Sequence, residues 1–148
     1  MNNQNKIAIT PRIRAIQKIY SSEMNPADEI KYSNGQYKKF IKDIVQGTIE
    51  RKDLIKKIID KYLNKDINLP RTDKLLKIIL YAAIFELMFK HNNPTKVIIS
   101  EYLKTSEFFL EKAQIKFLNA ILDKISKNIR NENIWEVNYQ KVFKTINI

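Results

Sequence analysis

The chain has 148 residues, which is the length of one domain, and its hydrophobic content of 44% argues against wholesale disorder. It contains no Cys, one His and two Gly, which excludes disulfide scaffolds, thiolate zinc sites, cysteine nucleophiles and glycine-rich nucleotide loops. Lys and Arg number 27 against 16 Asp and Glu, and the resulting net charge of +11 indicates an anionic partner such as nucleic acid. Most of these cations are Lys, however, and a compositional bias of the whole chain would raise the charge without any ligand.

Helical spacing of apolar residues predicts three helices in the first half of the chain. Thr10-Pro11 is typical of a helix start, because Thr caps free N–H groups and Pro fits the first helical position. Residues 21–35 are polar and contain Pro and Gly, which predicts a loop. The three apolar stripes are Ile13, Ile16, Ile19 and Tyr20; then Tyr37, Phe40, Ile41, Ile44, Val45 and Ile49; then Leu54, Ile55, Ile58, Ile59, Tyr62 and Leu63.

The second half also has helical periodicity. Residues 75–89 are apolar nearly all round, which is typical of a central, buried helix, and Pro94 permits the start of the next one. Two further stripes follow, formed by Val97, Ile98, Tyr102 and Leu103, and by Phe117, Leu118, Ile121, Leu122, Ile125 and Ile129. No sustained alternation typical of strands occurs, so an all-α fold is predicted.

The organisation along the chain predicts two helical subdomains, about residues 1–68 and 69–130, divided near 64–70. Residues 131–148 are predicted to form an amphipathic C-terminal helical extension, with an apolar face that includes Trp135, Tyr139 and Phe143. This face either docks on the chain's own bundle or contacts a partner.

Neither a signal peptide nor a membrane span is predicted. The first ten residues are polar, and the longest apolar stretch, 75–89, is interrupted by Lys77 and Glu86 and is shorter than the roughly 20 residues that cross a bilayer. We therefore expect a cytoplasmic protein with no membrane partner.

Six short motifs occur in order over about residues 12–125. They are Arg14-Ala15-x-Gln17-x-x-Tyr20, Phe40-x-x-Asp43-x-x-x-Gly47, Asp60-Lys61-Tyr62-Leu63, Ala83-Ile84-Phe85-Glu86-Leu87, Pro94-x-Lys96-Val97-x-Ile99-x-Glu101 and the run KFLNAILDKI at 116–125. Each motif is weak alone, but together, at these spacings, they resemble the NusB family of bacterial transcription antitermination factors.

This resemblance implies two packed helical subdomains with about seven helices, followed here by the C-terminal extension. It also implies a function without catalysis, cofactor or metal. With NusE, a small-subunit ribosomal protein, such a factor binds boxA-type elements in single-stranded nascent RNA. The complex helps the RNA polymerase elongation complex resist termination, notably on ribosomal RNA operons. Whether the chain forms a homodimer is left open.

The predicted RNA-binding residues lie at two places in the sequence. At the start of the first helix, cationic side chains adjoin free N–H groups and the positive end of the helix dipole, where a phosphate can bind. In the run KFLNAILDKI at 116–125, Lys116 can neutralise a phosphate and Asn119 can form hydrogen bonds with a base. The candidates are Arg12, Arg14, Gln17, Lys18, Lys116 and Asn119.

Glu86, Phe85 and Tyr81 are the predicted NusE-binding residues. Glu86 lies in an otherwise apolar helix, and an unpaired buried carboxylate costs several kcal/mol, so it requires solvent or a partner group. The resemblance favours the NusE interface, and an internal pair with a nearby Lys is the alternative.

Two other functions remain open from the sequence. One is a protein-interaction module whose positive charge is compositional, and the other is an accessory to rRNA modification. Steep salt dependence of RNA binding distinguishes an RNA-binding protein from a module that binds protein alone.

Overall fold

A computed structural model describes residues 8–63 and 73–130, and these two ranges form six α-helices and no strand. The helices are α1 (Pro11–Met24), α2 (Lys38–Glu50), α3 (Lys52–Tyr62), α4 (Lys74–Phe89), α5 (Thr95–Glu107) and α6 (Lys112–Ile129). The predicted all-α fold is confirmed. The predicted subdomain boundary near 64–70 and the extension at 131–148 lie outside the described residues, so the division into subdomains stays a prediction.

Side-chain caps define the starts of three helices. Thr10 Oγ1 accepts a hydrogen bond from the Ile13 N–H at 3.2 Å, and Pro11 follows at the first helical position, as predicted. Asp73 caps α4 by accepting from two backbone N–H groups. Glu111 and Gln114 form a reciprocal capping box at the start of α6.

Helix α4 is the central element of the bundle. It packs against α1, α2, α3, α5 and α6, and every residue from Ile78 to Met88 is buried. A helix that is surrounded on all sides has no face left for polar residues, which explains why the 75–89 segment is apolar nearly all round. The prediction of a central, buried helix is confirmed.

Gly47 sets the distance between α2 and α4. A β-carbon at this position would overlap the ring of Phe85, so the two helices approach closely only because Gly47 has no side chain. The 40–47 and 83–87 motifs therefore meet in space.

The ends of two predicted apolar stripes are wrong. Tyr37 was expected in the buried stripe of the second helix, but α2 begins at Lys38 and the side chain of Tyr37 is 52% exposed. Ile49 and Val97 are also exposed. All three lie at or near a helix end, where the periodic pattern continues beyond the length of helix that a neighbour covers.

Arg130 joins the ends of α4 and α6. Its guanidinium donates to the backbone oxygens of Leu87 at 2.6 Å and Asn93 at 2.9 Å, and also to those of Glu86 and Lys90. The last carbonyls of a helix have no partner within the helix, and a cation there also meets the negative end of the dipole. Arg130 therefore acts as the C-terminal cap of α4.

Among the described residues, no helix combines the length and the apolar character needed to cross a membrane.

Candidate nucleic-acid interface

Helix α1 has an inner face that carries a buried ion pair. Arg12 Nε and Nη2 donate to Glu86 Oε1 and Oε2, each at 2.9 Å, which is the bidentate geometry of a strong charge-assisted pair. Tyr102 Oη donates to Glu86 Oε1 at 2.6 Å. The Glu86 side chain is fully buried and that of Arg12 is 16% exposed. Three helices, α1, α4 and α5, are thus joined at one carboxylate.

The surroundings of this pair shift the pKa values of Arg12 and Tyr102. The Arg12 guanidinium lies 5.0 Å from the centroid of the Phe40 ring and 3.8 Å from Glu101 Oε2. Burial lowers the pKa of Arg12, but the hydrogen bonds and charge of Glu86, with smaller effects of Tyr102 and Glu101, together raise it by more, so the net shift is upward. Burial, and then the charge of Glu86, raise the pKa of Tyr102 well above its usual value. Tyr102 therefore remains a hydrogen-bond donor to Glu86.

The structure places the three predicted NusE-binding residues inside the bundle. Glu86 finds its partner within the chain, and this partner is Arg12 with Tyr102 rather than a Lys. Phe85 and Tyr81 are each 4% exposed. Their role in partner binding stays a prediction, and Tyr81 lines a surface groove.

This groove, which we call the Tyr81 groove, lies between α1, α2 and α4 and has a volume of about 380 Å³. Its polar rim includes Glu23, Lys74 and Lys77. Burial, followed by the charges of Asp60, Glu23 and Asp53, raises the pKa of Tyr81 to about 12. The Tyr81 hydroxyl therefore stays protonated to a higher pH than an ordinary Tyr.

The outer face of α1 presents the other predicted RNA-binding residues of this helix. Arg14 and Gln17 are exposed, and Lys18 is half-buried. Lys18 Nζ donates to the Lys31 backbone oxygen at 2.6 Å and lies 5.4 Å from the centroid of the Tyr32 ring. By contrast, the guanidinium of Arg12 is engaged inside the protein. The cluster predicted at the helix start is therefore divided between two faces.

The second predicted group lies on α6. Lys116 and Asn119 are exposed, and Phe117 between them is half-buried against the core. Helix α6 packs on α3, α4 and α5, whereas α1 packs on α2, α4 and α5. The two groups of residues predicted to bind RNA thus lie on helices that share α4 and α5 as neighbours.

Sequence reasoning missed a second set of residues beside α1. A groove of about 530 Å³ lies between α1 and the segment 32–38, and Arg14 and Lys18 line one side of it while Tyr32, Tyr37 and Lys38 line the other. Tyr37 had been placed in the apolar stripe of the second helix. The signal available in the sequence was the occurrence of two Tyr within a polar, Gly-containing segment that ends in Lys.

His91, the only imidazole of the chain, lies just beyond the end of α4. Burial and the charge of Arg130 lower the pKa of His91, against a hydrogen bond with the Met88 backbone that raises it. Within residues 8–63 and 73–130, no three His, Asp or Glu side chains converge in a group able to hold a metal ion.

Comparison with known proteins gives the same picture as the motifs. A model of the NusB family matches residues 5–127. The chain is 37% identical over 89 residues to "Transcription antitermination protein NusB" of Mesorhizobium japonicum, a match that covers 60% of this chain and 57% of that protein. It is 27% identical over 143 residues to the protein of the same name from Novosphingobium aromaticivorans, covering 84% of this chain and 96% of the other.

The chain thus spans little more than half the length of several curated relatives, and nearly all of another. A solved structure of T. maritima NusB, form 2 in space group P3121, superposes with a TM-score of 0.72. The superposition covers 85% of this chain and 96% of the other at 23% identity, so it demonstrates a shared fold.

Proposed function

Because the chain belongs to the NusB family, we propose that it is a transcription antitermination factor that binds single-stranded boxA-type RNA together with NusE. Through this complex it helps the RNA polymerase elongation complex resist termination, notably on ribosomal RNA operons. The mechanism is binding without covalent chemistry. The observation that carries the proposal is the exposed basic face at the start of α1, within the region matched to the family.

The outer face of α1 suits an RNA backbone. Arg14 lies in the first turn, where free backbone N–H groups and the helix dipole favour an anion, and this turn contains no acidic residue. The Arg14 guanidinium offers bidentate contacts to phosphate oxygens. Gln17 is exposed one turn further along and supplies an amide that can pair with a base edge.

Lys116 and Asn119 form the second contact region of the proposed interface. The two exposed side chains lie three residues apart on α6, so they are neighbours on one helix face. Lys116 neutralises a phosphate, and Asn119 offers an amide to a base or the backbone. Phe117 holds this turn of α6 on the core.

NusE docking is proposed at the Tyr81 groove. Its lining includes Tyr81, whose hydroxyl is protonated, and the charged side chains of Lys74, Lys77 and Glu23. Phe85 and Glu86 lie below the surface, and their role is to position α4 beneath this groove. Lys77→Glu is therefore expected to weaken NusE binding in calorimetry, whereas the exposed Lys57→Glu on α3 is the charge-matched control.

The proposal is tested by fluorescence anisotropy of a labelled boxA-like RNA, with a scrambled RNA as control, with and without NusE, at several salt concentrations. We expect sequence-selective binding that NusE strengthens. On single-stranded RNA the logarithm of affinity falls with the logarithm of salt by about 0.7 per phosphate contacted. Arg14→Met is expected to reduce this slope by about that amount, and Lys57→Met to leave it unchanged.

Equal, weak binding of both RNAs without any effect of NusE would contradict the proposal. That outcome would favour the protein-interaction module whose positive charge is compositional. An unchanged salt slope in Arg14→Met, with selective binding retained, would instead remove the outer face of α1 from the interface.

A further inference from the structure

The groove between α1 and the segment 32–38 is a surface feature that the proposed contacts leave unexplained. We call it the aromatic–basic groove; its lining includes Arg14, Lys18, Lys38, Tyr32 and Tyr37. Its volume of about 530 Å³ lies within the range of roughly 300–1,000 Å³ typical of sites that hold a small organic group.

The charge of this groove is of one sign. Among the described residues, three cations line it and no carboxylate does. Three other grooves in the described part of the chain each contain acidic side chains, which are Glu23 in the Tyr81 groove and Asp28 with Glu29 in two grooves beside the loop. Because its cations have no carboxylates beside them, this groove attracts an anionic ligand more strongly than those three grooves do.

The two Tyr side chains of the groove differ in freedom. Tyr32 is fixed, because its hydroxyl accepts a hydrogen bond from Gln46 Nε2 at 3.0 Å and its ring lies beside the Lys18 ammonium. Tyr37 is 52% exposed, directly before α2. A half-exposed aromatic ring beside cations is the combination that binds bases by stacking and the backbone by charge.

The cations are held where a backbone would pass. Lys38 Nζ donates to Asn34 Oδ1 at 3.0 Å, which keeps its ammonium at the rim of the groove. Arg14 is exposed on the α1 side. A strand that runs along the groove therefore meets Arg14 on the α1 side and Lys38 on the side of the segment 32–38.

We propose that the aromatic–basic groove binds one unpaired base of single-stranded RNA, stacked on Tyr37, with the adjoining phosphates on Arg14 and Lys38. This inference rests on the proposed function and extends the RNA path from α1 onto the segment 32–38. An acidic peptide would satisfy the cations but would leave the Tyr37 ring without a stacking partner.

The test is the Kd of the boxA-like RNA for Tyr37→Ala and Tyr37→Phe in the full chain. Loss of one base–aromatic stack raises Kd by about tenfold. Tyr37→Phe keeps the ring and is expected to bind like the unmodified protein. Val97→Ala, which shortens a side chain of similar exposure on α5, is the control and is expected to leave Kd unchanged.

Photocross-linking gives an independent readout. RNA that contains 5-iodouridine reacts with an aromatic ring stacked on the base, and mass spectrometry then identifies the linked peptide. We expect the link at Tyr37, and its loss in Tyr37→Ala.

Three results would overturn the inference. If the RNA binds tightly and selectively but Tyr37→Ala has the same Kd, the groove proposal is wrong and the proposed function stands. If no RNA binds selectively, the groove proposal and the proposed function are both wrong. If polyglutamate displaces the labelled RNA as effectively as unlabelled RNA does, and Tyr37→Ala changes the affinity for neither ligand, the groove is a site for acidic peptide.

Discussion

Arg12 and Arg14 lie two residues apart on the same helix and occupy opposite environments. Arg12 points into the bundle and forms a bidentate pair with the fully buried Glu86. Arg14 is exposed and lines the aromatic–basic groove. Side chains two positions apart on a helix do not face the same neighbours, so a short basic cluster in sequence is divided by the helix between core and surface.

Arg therefore serves two different purposes within the first turn of α1. The charge of Arg12 is neutralised inside the protein and contributes to the association of α1, α4 and α5. The charge of Arg14 is available to a ligand. Arg130 is a third case, because it is half-buried like Arg12 but binds backbone oxygens at the end of α4 instead of a carboxylate.

The largest expected effect on stability comes from removing Arg12, and removal of Arg14 is the matched comparison. Arg12→Met leaves the Glu86 carboxylate buried with Tyr102 as its only described donor, and breaking a buried pair in this way costs about 3–5 kcal/mol of unfolding free energy. Arg14→Met changes a solvent-exposed side chain and is expected to alter stability by less than about 0.5 kcal/mol. Urea unfolding of the two variants measures both values.

RNA binding by the same two variants tests the other side of the comparison. In Arg12→Met, under conditions where the protein remains folded, the salt slope of RNA binding is expected to equal that of the unmodified protein. Similar losses of stability in both variants would contradict the division of α1 into an inner and an outer face.

A middle-sized effect is expected where α2 meets α4, next to the buried pair. Helix propensity alone favours Ala over Gly by about 1 kcal/mol, but a β-carbon at Gly47 overlaps the Phe85 ring and overpacking costs about 1–3 kcal/mol. We therefore expect Gly47→Ala to lower the thermal midpoint. Combining it with Phe85→Leu is expected to recover part of the loss, and a rise in the midpoint of the single variant would contradict the close approach.

The smallest effect concerns Arg130 and the titration of His91. Burial and then Arg130 lower the pKa of His91 below about 6.5, its value in an unfolded chain. The folded state thus prefers the neutral imidazole, so this contribution to stability is present above pH 6.5 and is lost as pH falls through the lower, folded-state pKa.

NMR titration of this single His measures the effect directly. Arg130→Met removes the nearby cation and is expected to raise the pKa of His91, while Arg130→Lys retains a positive charge and is expected to keep the pKa low. The same pKa in all three proteins would contradict an influence of Arg130 on His91.

Local patterns were sufficient to predict much of this fold. The helix start at Thr10-Pro11 and the central helix at 75–89 were predicted correctly. Both features are visible locally, because a cap involves neighbouring residues and a buried helix is apolar on all its faces. The six motifs also resembled the family that the comparison then identified. Tyr37 was assigned wrongly, because the length over which one helix covers another is set by tertiary packing.

The sequence by itself determined the helical class, the central parts of the apolar faces and the family, since these depend on residues close together in the chain. Only the tertiary structure decided that Glu86 pairs with Arg12 across 74 positions and that Gly47 admits the Phe85 ring. It likewise decided that Tyr37 joins Arg14 at a groove. The physical reason is that burial and partners are properties of helix packing, so identical side chains become core or surface according to what lies opposite them.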